Sequence, residues 1–360
     1  MADPWRVPWP DRFGAFWQRS IPALGPWLAD LETRMVSATT DLPAVQSPVF
    51  ICGMARSGST ILLEILSRLP GFTSHRYADF PLLWTPFWWN RLRARLPAGS
   101  AEPVERAHRD RIRVTRESPE AFEEPIWAHF FPDDPSGHDV LDANTRAPEF
   151  ERLFRAHIAK LLLARGAKRY VSKGNYNTLR IAYLATLFPD ARFVVPIRSP
   201  AAHVASLMRQ DLLYQSAPVA TLGQIAARGH HEFGPLKRAL RLPGQPAVSI
   251  PNGTAPAEWW LQQWMSVYRY AWACAQMPEL ADRVLLVPYE SLAERPERGF
   301  DRLFGFLGIA DQGMDRQSTL EAFVASDRTT LDAEMFGALP DAEMAQTLFV
   351  RCRKRFDEAT

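Results

Sequence analysis

The amino-acid sequence predicts an α/β protein whose mostly parallel central sheet is flanked by helices. Three observations predict this class. An apolar run that ends in a glycine-containing turn is followed by a helical pattern over 47–69, and the same order of strand and helix recurs later in the chain. The 360 residues, 47% of them hydrophobic, are also enough to fill a large core.

The first unit of the fold begins with the run SPVFICG at 47–53, which is typical of a buried parallel strand. Apolar residues then recur at helical spacing over 61–69, and Pro70 and Gly71 end this helix. A strand, a turn that contains glycine and a helix together form the opening unit of a doubly wound α/β fold.

Later segments repeat this order of elements. The predicted strands lie at 169–172, 192–198 and 284–289, and the predicted helices at 179–188, 201–209 and 298–307. Several such units in one chain favour a parallel sheet.

The pattern along the chain predicts three regions. Residues 1–45 are expected to form an N-terminal helical arm, 46–310 the main domain and 311–360 a C-terminal helical tail. Within the main domain, less regular stretches at about 70–150 and 210–260 are expected to be insertions that shape a substrate site. Packing onto the domain is favoured over membrane contact for four tryptophans near the start: Trp5, Trp9, Trp17 and Trp27.

Charge and cysteine content exclude some classes of protein. The formal net charge of +2 is too small to indicate a nucleic-acid partner. Cys52, Cys274 and Cys352 have neither disulfide-framework nor metal-ligand spacing, so we expect a cytoplasmic location and no metal site. No secretory signal is visible, and no stretch approaches the roughly 18 apolar residues that span a bilayer.

The segment GMARSGST at 53–60 nearly matches the nucleotide-binding P-loop pattern G-x-x-x-x-G-K-[ST]. Glycines let backbone N–H groups turn toward an anion, and the positive end of the following helix points at the same place. Ser59 stands where a P-loop kinase carries the lysine that binds the β- and γ-phosphates. Arg56 is the basic residue of the turn instead. A smaller anion therefore suits this loop, with a tight turn and a solvated arginine as the alternative.

This segment resembles the 5′-phosphosulfate loop of the sulfotransferases that use PAPS (3′-phosphoadenosine 5′-phosphosulfate). In that family a strand ends in a [K/R]-S-G-[T/S]-T loop. The bacterial, protein-tyrosine and Golgi-type members are the most similar, and the resemblance covers roughly residues 47–310. It implies a P-loop-like three-layer fold and PAPS as co-substrate without a metal. It also implies that five loop residues hold the donor: Arg56, Ser57, Gly58, Ser59 and Thr60.

A second anion site is predicted where Arg198 ends a strand and Ser206 follows eight residues later on the next helix. A guanidinium and a hydroxyl can converge on one anion. The pair resembles the family's 3′-phosphate site. The family also carries a lysine that reaches toward the transferred group, which matches Lys173, and a tyrosine beside the adenine in a Y-E-[DS]-L segment, which matches Tyr289.

The sequence offers several candidates for the residue that deprotonates the acceptor. Cytosolic members of the family use a histidine two residues after the lysine, and Asn175 stands at that place here. Other branches use a carboxylate shortly after the first helix, which favours Asp79 as the base, with capping or an ion pair to Arg76 as the alternative. The further candidates are His75 and then Glu123 or Glu124.

The sequence leaves the acceptor open among small molecules, glycans and lipids, and a homodimer is an open expectation. Aromatic residues over 80–89, with Trp259, Trp260 and Trp264, are expected to belong to the core, and an apolar acceptor pocket is the alternative. Two other functions remain: a P-loop nucleotide kinase and a nucleotide-binding module without catalytic activity. Ser59 argues against the kinase, because it replaces the lysine of the P-loop. Asn175 is compatible with the non-catalytic module, because it replaces the histidine base of the cytosolic members.

Overall fold

The computed structural model describes residues 23–96, 103–105, 113–132, 137–138, 140–240, 242, 249–309 and 330–358. Its helices are α1 Leu24–Ser37, α2 Ser59–Ser67, α3 Pro86–Arg93, α4 Glu124–Phe130, α5 Pro148–Arg165, α6 Ile181–Leu187, α7 Pro200–Gln215, α8 Val219–Ala227, α9 Ala257–Cys274, α10 Tyr289–Glu294, α11 Pro296–Leu307, α12 Ala333–Gly337 and α13 Ala342–Glu358. Its strands are β1 Val49–Ile51, β2 Phe72–Thr73, β3 Val104–Glu105, β4 Arg113–Val114, β5 Gly137–His138, β6 Arg169–Lys173, β7 Arg192–Ile197, β8 Ala239–Leu240 and β9 Val284–Pro288. Short 3₁₀ helices lie at Tyr77–Leu82, Asn177–Arg180 and Gly234–Leu236.

The central sheet has five strands in the order β2-β6-β1-β7-β9, and every neighbouring pair is parallel. β1 lies in the middle of the sheet, and the two strands that flank it, β6 and β7, come from much later in the sequence. The carboxyl ends of β1, β6 and β7 therefore meet at one edge of the sheet, which is where α/β proteins bind their ligands.

Side chains of the strands alternate between two cores, as the strand period of two requires. Phe50 and Phe193 belong to the larger hydrophobic cluster, which α1, α5, α6, α7, α9 and α13 also line. Val49, Ile51 and Val194 face the smaller cluster, which α2 and α11 cover. The molecule is thus a three-layer α/β fold, as the sequence predicts.

The predicted elements match the observed ones with shifts at their ends. The helix expected at 61–69 begins at Ser59, and the one expected at 201–209 extends over Pro200–Gln215. The helix expected at 179–188 consists of a 3₁₀ turn followed by α6. No prediction covers β2, which is too short for a periodic pattern, or the long helices α5 and α9.

Much of the predicted N-terminal arm and C-terminal tail lies outside the described residues, and the domain boundaries stay predictions. Within the arm, α1 is held to α5 by a buried ion pair of 2.8 Å between Glu32 and Lys160. Trp27 is 55% exposed, while Trp5, Trp9 and Trp17 lie outside the described residues. Among the described helices, none combines the length and the apolar character that crossing a lipid bilayer requires.

Candidate active site

The turn between β1 and α2 has the backbone geometry of an anion-binding loop. Gly53 and Gly58 have φ angles of 109° and 97°, which glycine adopts without strain. A Cβ atom at Gly58 would lie 2.8 Å from the ring of Tyr289, so close packing also requires glycine there. α2 begins at Ser59 with no side chain capping its first turn. Its N–H groups and the positive end of its dipole therefore face the loop.

Arg56 connects this loop to the neighbouring helix α7. Its φ angle of 69° is a left-handed conformation that residues with a side chain rarely adopt. Its Nε atom donates a hydrogen bond of 3.2 Å to Oγ of Ser206, which is buried on α7. Ser57 and Thr60 are also buried within the turn and at the start of α2. The two predicted anion sites are therefore in direct contact.

Arg198 follows the last residue of β7 and lies beside the same loop. Its guanidinium is 5.6 Å from the ring centroid of Tyr289. This is the ring that packs against Gly58. Tyr289 thus contacts both the loop and the arginine at the end of β7.

The imidazole of His203 lies close to both arginines. Its Nε2 atom donates a hydrogen bond of 2.8 Å to the carbonyl oxygen of Ala55, within the loop. Burial, and then the positive charges of Arg198 and Arg56, lower the pKa of His203 to about 3. The charges of Arg56 and Arg198 therefore both act on one histidine, which is kept neutral.

Helix α9 holds the end of β7 in place. The indole Nε1 of Trp264 donates to the carbonyl oxygen of Arg198 at 3.3 Å, and the hydroxyl of Tyr268 donates to that of Pro196 at 3.1 Å. Both aromatic side chains are fully buried. These bonds fix the backbone from which the Arg198 side chain extends.

Lys173 ends β6 and lies next to the start of the loop. In the parallel register it is opposite Ile51, and the N–H of Gly174 donates to the carbonyl oxygen of Ile51 at 3.0 Å. The ammonium group of Lys173 is 3.7 Å from Oε1 of Glu120, and both side chains are mostly buried. The other oxygen of Glu120 accepts a hydrogen bond of 2.5 Å from the hydroxyl of Tyr77.

Asp79 is buried and bound through one of its two carboxylate oxygens. Its Oδ2 atom accepts the backbone N–H of Arg76 at 2.8 Å and the guanidinium of Arg165 at 2.6 Å. Burial alone would raise the pKa of Asp79, but hydrogen bonding with His75 and the charge of Arg165 hold it well below its usual range. The ion-pair partner is Arg165, because the side chain of Arg76 binds Glu117. These contacts are those of a capping and ion-pairing residue.

His75 and Glu123 are also buried in polar contacts of the interior. Nε2 of His75 lies 3.0 Å from Nε2 of His157, and 1% of His75 is exposed. Glu123 accepts the hydroxyl hydrogen of Tyr170 at 2.5 Å, and burial raises the pKa of its carboxyl.

Glu124 forms a buried ion pair with Arg180, through two hydrogen bonds of 2.8 and 2.9 Å. The guanidinium of Arg180 lies over the ring of Trp127, 4.3 Å from its centroid. Both oxygens of Glu124 are thus bound by the arginine.

Asn175, two residues after Lys173, is bound to a histidine–carboxylate pair. Its Nδ2 atom donates a hydrogen bond of 2.6 Å to Oε1 of Glu232. Nδ1 of His230 lies 3.6 Å from the same oxygen. Although burial would raise the pKa of Glu232, the hydrogen bonds from His230 and Asn175 lower it to about 2.

Sequence reasoning did not find Glu120, His230 or Glu232. None belongs to a motif, and each lies in a stretch expected to be an irregular insertion. Their contacts with Lys173 and Asn175 join segments that are about 50 residues apart. Such pairings leave no local pattern that could have indicated them.

The aromatic residues considered for an acceptor pocket are mostly part of the core. Trp259, Trp260 and Trp264 are at most 5% exposed, and Phe80 and Trp84 belong to the larger hydrophobic cluster. This is the arrangement that the sequence favours for them.

The chain is similar to the crystal structures of sulfotransferase STF9 from Mycobacterium avium (14% identity, 91% of this chain and 81% of that chain covered, TM-score 0.49) and sulfotransferase STF1 from Mycobacterium tuberculosis H37Rv (14%, 91% and 83%, 0.47). It is also similar to a sulfotransferase from Alicyclobacillus acidocaldarius (11%, 88% and 97%, 0.43). No curated protein matches the sequence.

A family model provides the assignment. The model of the sulfotransferase family matches residues 48–234, which is more than half of the chain. The matched range contains the turn at 53–60 and the residues Lys173, Arg198 and Ser206. This chain belongs to the sulfotransferase family.

Proposed function

We propose that this sulfotransferase takes its sulfuryl group from PAPS, transfers it to a hydroxyl or amine acceptor, and releases PAP (3′-phosphoadenosine 5′-phosphate). The observation that carries the proposal is that Arg56 is hydrogen-bonded to Ser206 of α7, while Tyr289 packs against both Gly58 of the same turn and Arg198. PAPS has an anionic group at each end of its ribose. Two arginines at one edge of the sheet suit a ligand with two such groups.

The 5′ end of the donor is assigned to the loop. The uncapped first turn of α2 and the left-handed glycines offer backbone N–H groups to a phosphosulfate. Arg56 adds a positive charge, and Ser59 and Thr60 add hydroxyl groups at the start of the helix. A single phosphosulfate requires less positive charge than a triphosphate, which agrees with Ser59 in place of lysine.

The 3′ end of the donor is assigned to Arg198 and Ser206. Arg198 offers a planar guanidinium that can bind a phosphate through two hydrogen bonds. Ser206, already bonded to Arg56, can donate its hydroxyl hydrogen to the same anion. Tyr289 lies against Gly58 and Arg198, where its ring can stack on the adenine.

The chemistry requires that a bond forms between the acceptor atom and sulfur while the bond from sulfur to the 5′-phosphate oxygen breaks. Negative charge then develops on the departing bisphosphate. Arg56 and Lys173 are the fixed positive charges assigned to stabilise it. Lys173 contacts Glu120 in the free protein, so donor binding must draw the ammonium group toward the sulfuryl oxygens.

Asp79 and His75 remain the bases proposed from the sequence, but their contacts favour a structural role. A base must reach the acceptor, whereas Asp79 is buried and bound to Arg165, and His75 is buried against His157. Small-molecule, glycan and lipid acceptors, a cytoplasmic location and a homodimer stay predictions.

Calorimetry tests the donor assignment. PAP is expected to bind without magnesium, and ATP is expected to bind more weakly whether or not magnesium is present. Tight binding of ATP that depends on magnesium, with no binding of PAP, would favour the kinase alternative. Binding of PAP without any sulfuryl transfer would favour the module that lacks catalysis.

A further inference from the structure

Sulfuryl transfer to a hydroxyl group requires a base, and the carboxylates that the sequence offers are buried in contacts with other groups. Asp79 and Glu124 are held by arginines, and Glu123 accepts the hydroxyl hydrogen of Tyr170. Glu120 accepts the hydroxyl of Tyr77 on one oxygen and the backbone N–H of Ala121 on the other, and it also contacts Lys173. A carboxylate that accepts several hydrogen bonds is a weak base, because its charged form is stabilised.

A different candidate, His230, lies beside the segment that follows Lys173 in the chain. Nδ1 of His230 and Nδ2 of Asn175 both contact Oε1 of Glu232, so the imidazole is a neighbour of the Asn175 side chain. The side chain of His230 is 18% exposed, and that of Glu232 is 13% exposed. Within the described part of the chain, Nε2 of His230 has no hydrogen-bond partner.

The loop that carries His230 is fixed against the segment after Lys173. The backbone N–H of His231 donates to the hydroxyl of Tyr176 at 3.0 Å. Gly229 has a φ of 85° and packs so tightly that a Cβ atom there would lie 2.1 Å from Cβ of Glu124. The position of the imidazole is therefore set by contacts on both sides.

We propose that His230 is the general base that deprotonates the acceptor, and that Glu232 is the residue that positions it. The inference rests on the proposed sulfotransferase function. Glu232 accepts the Nδ1 hydrogen, which leaves the Nε2 electron pair directed to the acceptor. As the acceptor oxygen bonds to sulfur and the bond from sulfur to the phosphate breaks, Nε2 takes the hydroxyl proton. The carboxylate of Glu232 then stabilises the imidazolium ion.

The charged groups around this histidine are consistent with that role. Glu232 is the nearest and lies on the same loop. Glu124, packed behind Gly229, is neutralised by Arg180. From the same loop, the guanidinium of Arg228 lies over the ring of Phe80. Tyr176 is kept neutral, because burial raises its pKa.

The test compares His230→Ala and Glu232→Gln with His231→Ala, a matched control at the adjacent residue. Calorimetry with PAP should give similar affinities in all three variants and in the native protein. Single-turnover transfer from radiolabelled PAPS is then measured with three acceptors: cyclohexanol, water, and 4-nitrophenol at a pH where it is already ionised.

We expect His230→Ala to slow transfer to cyclohexanol and water by about 10²–10⁴-fold and transfer to ionised 4-nitrophenol far less, because only the first two need a base. Glu232→Gln should give a smaller loss with the same two acceptors and leave transfer to ionised 4-nitrophenol close to the native rate. His231→Ala should behave as the native protein.

Equal losses for all three acceptors in His230→Ala would overturn the proposal, as would native rates in this variant. A large loss confined to cyclohexanol and water in Glu120→Gln would overturn it too, by assigning the base to that carboxylate. Two outcomes would instead reject the proposed function on which the inference rests: failure to bind PAP, and binding of PAP by a native protein that transfers to none of the three acceptors.

Discussion

Nε of Arg56 donates a hydrogen bond to Oγ of Ser206 across 150 residues of sequence, at 3.2 Å. The first residue belongs to the glycine turn after β1, and the second to the helix after β7. Because β1 and β7 are neighbours in the parallel sheet, their following turns meet at one edge. The contact makes a single positively charged region of two segments that are separate in the sequence.

Ser206→Ala should weaken the binding of PAP by about tenfold or more, because a hydrogen bond to a charged group is worth roughly 1.5–3 kcal/mol. Arg198→Ala should weaken it further, by about a hundredfold, since it removes a whole charge. Ser216→Ala, at the exposed end of the same helix, is the matched control. Calorimetry with PAP measures all three. Unchanged affinity in both site variants would contradict the assignment of the 3′-phosphate.

Arg56→Gly should make the protein more stable and nearly inactive. Glycine adopts a φ of 69° freely, whereas a residue with a Cβ atom pays about 1 kcal/mol or more there. Arg56→Ala removes the same charge and keeps the strain, so the difference in thermal midpoint between the two variants isolates the backbone term. Equal midpoints would show that the left-handed conformation is not strained, and native turnover in either variant would remove Arg56 from catalysis.

Asp79→Asn should lower stability and leave the turnover of the folded protein nearly unchanged. The substitution leaves the buried guanidinium of Arg165 without its counter-charge, which costs about 3–5 kcal/mol. Asp30→Asn breaks the more exposed ion pair with Arg152 and should cost less than about 1 kcal/mol. Urea unfolding and single-turnover rates separate the two effects. A stable Asp79→Asn protein without turnover would restore Asp79 as the base.

Stability should fall as the pH is lowered below about 6.5, because of His203. The folded protein keeps this imidazole neutral with a pKa of about 3, whereas the unfolded chain takes up a proton near the ordinary histidine pKa of about 6.5. The unfolded state therefore binds more protons in this interval, and the stability contributed above pH 6.5 is lost as the pH falls.

His203→Gln provides the measurement, because an amide can still donate to the carbonyl oxygen of Ala55. The free energy of unfolding, followed by urea titration at several pH values, should depend less on pH in this variant, by up to about 1.4 kcal/mol per pH unit. His157, whose pKa is also lowered by burial, should keep part of the slope. An identical slope in the variant would mean that His203 does not stay neutral.

Much of the architecture could be predicted from local patterns. The apolar run at 47–53 indicates a buried strand, because apolar side chains favour burial. The glycines at its end and after it indicate a turn, because glycine adopts positive φ angles without strain. The spacing of Arg198 and Ser206 indicated a second anion site, since both lie on adjacent elements. β2 and the extent of α7 could not be predicted, because they depend on packing against other elements rather than on a local period.

By itself, the sequence determined which chemical groups follow the strands, in chain order. These are a glycine turn with Arg56 after β1, a lysine at the end of β6, and an arginine at the end of β7. The tertiary structure alone decided which polar groups meet. Asp79 pairs with Arg165, Lys173 with Glu120, and Asn175 with Glu232, each across more than 40 residues. Contacts of this kind form where the fold brings distant segments together, and burial then decides which group stays charged.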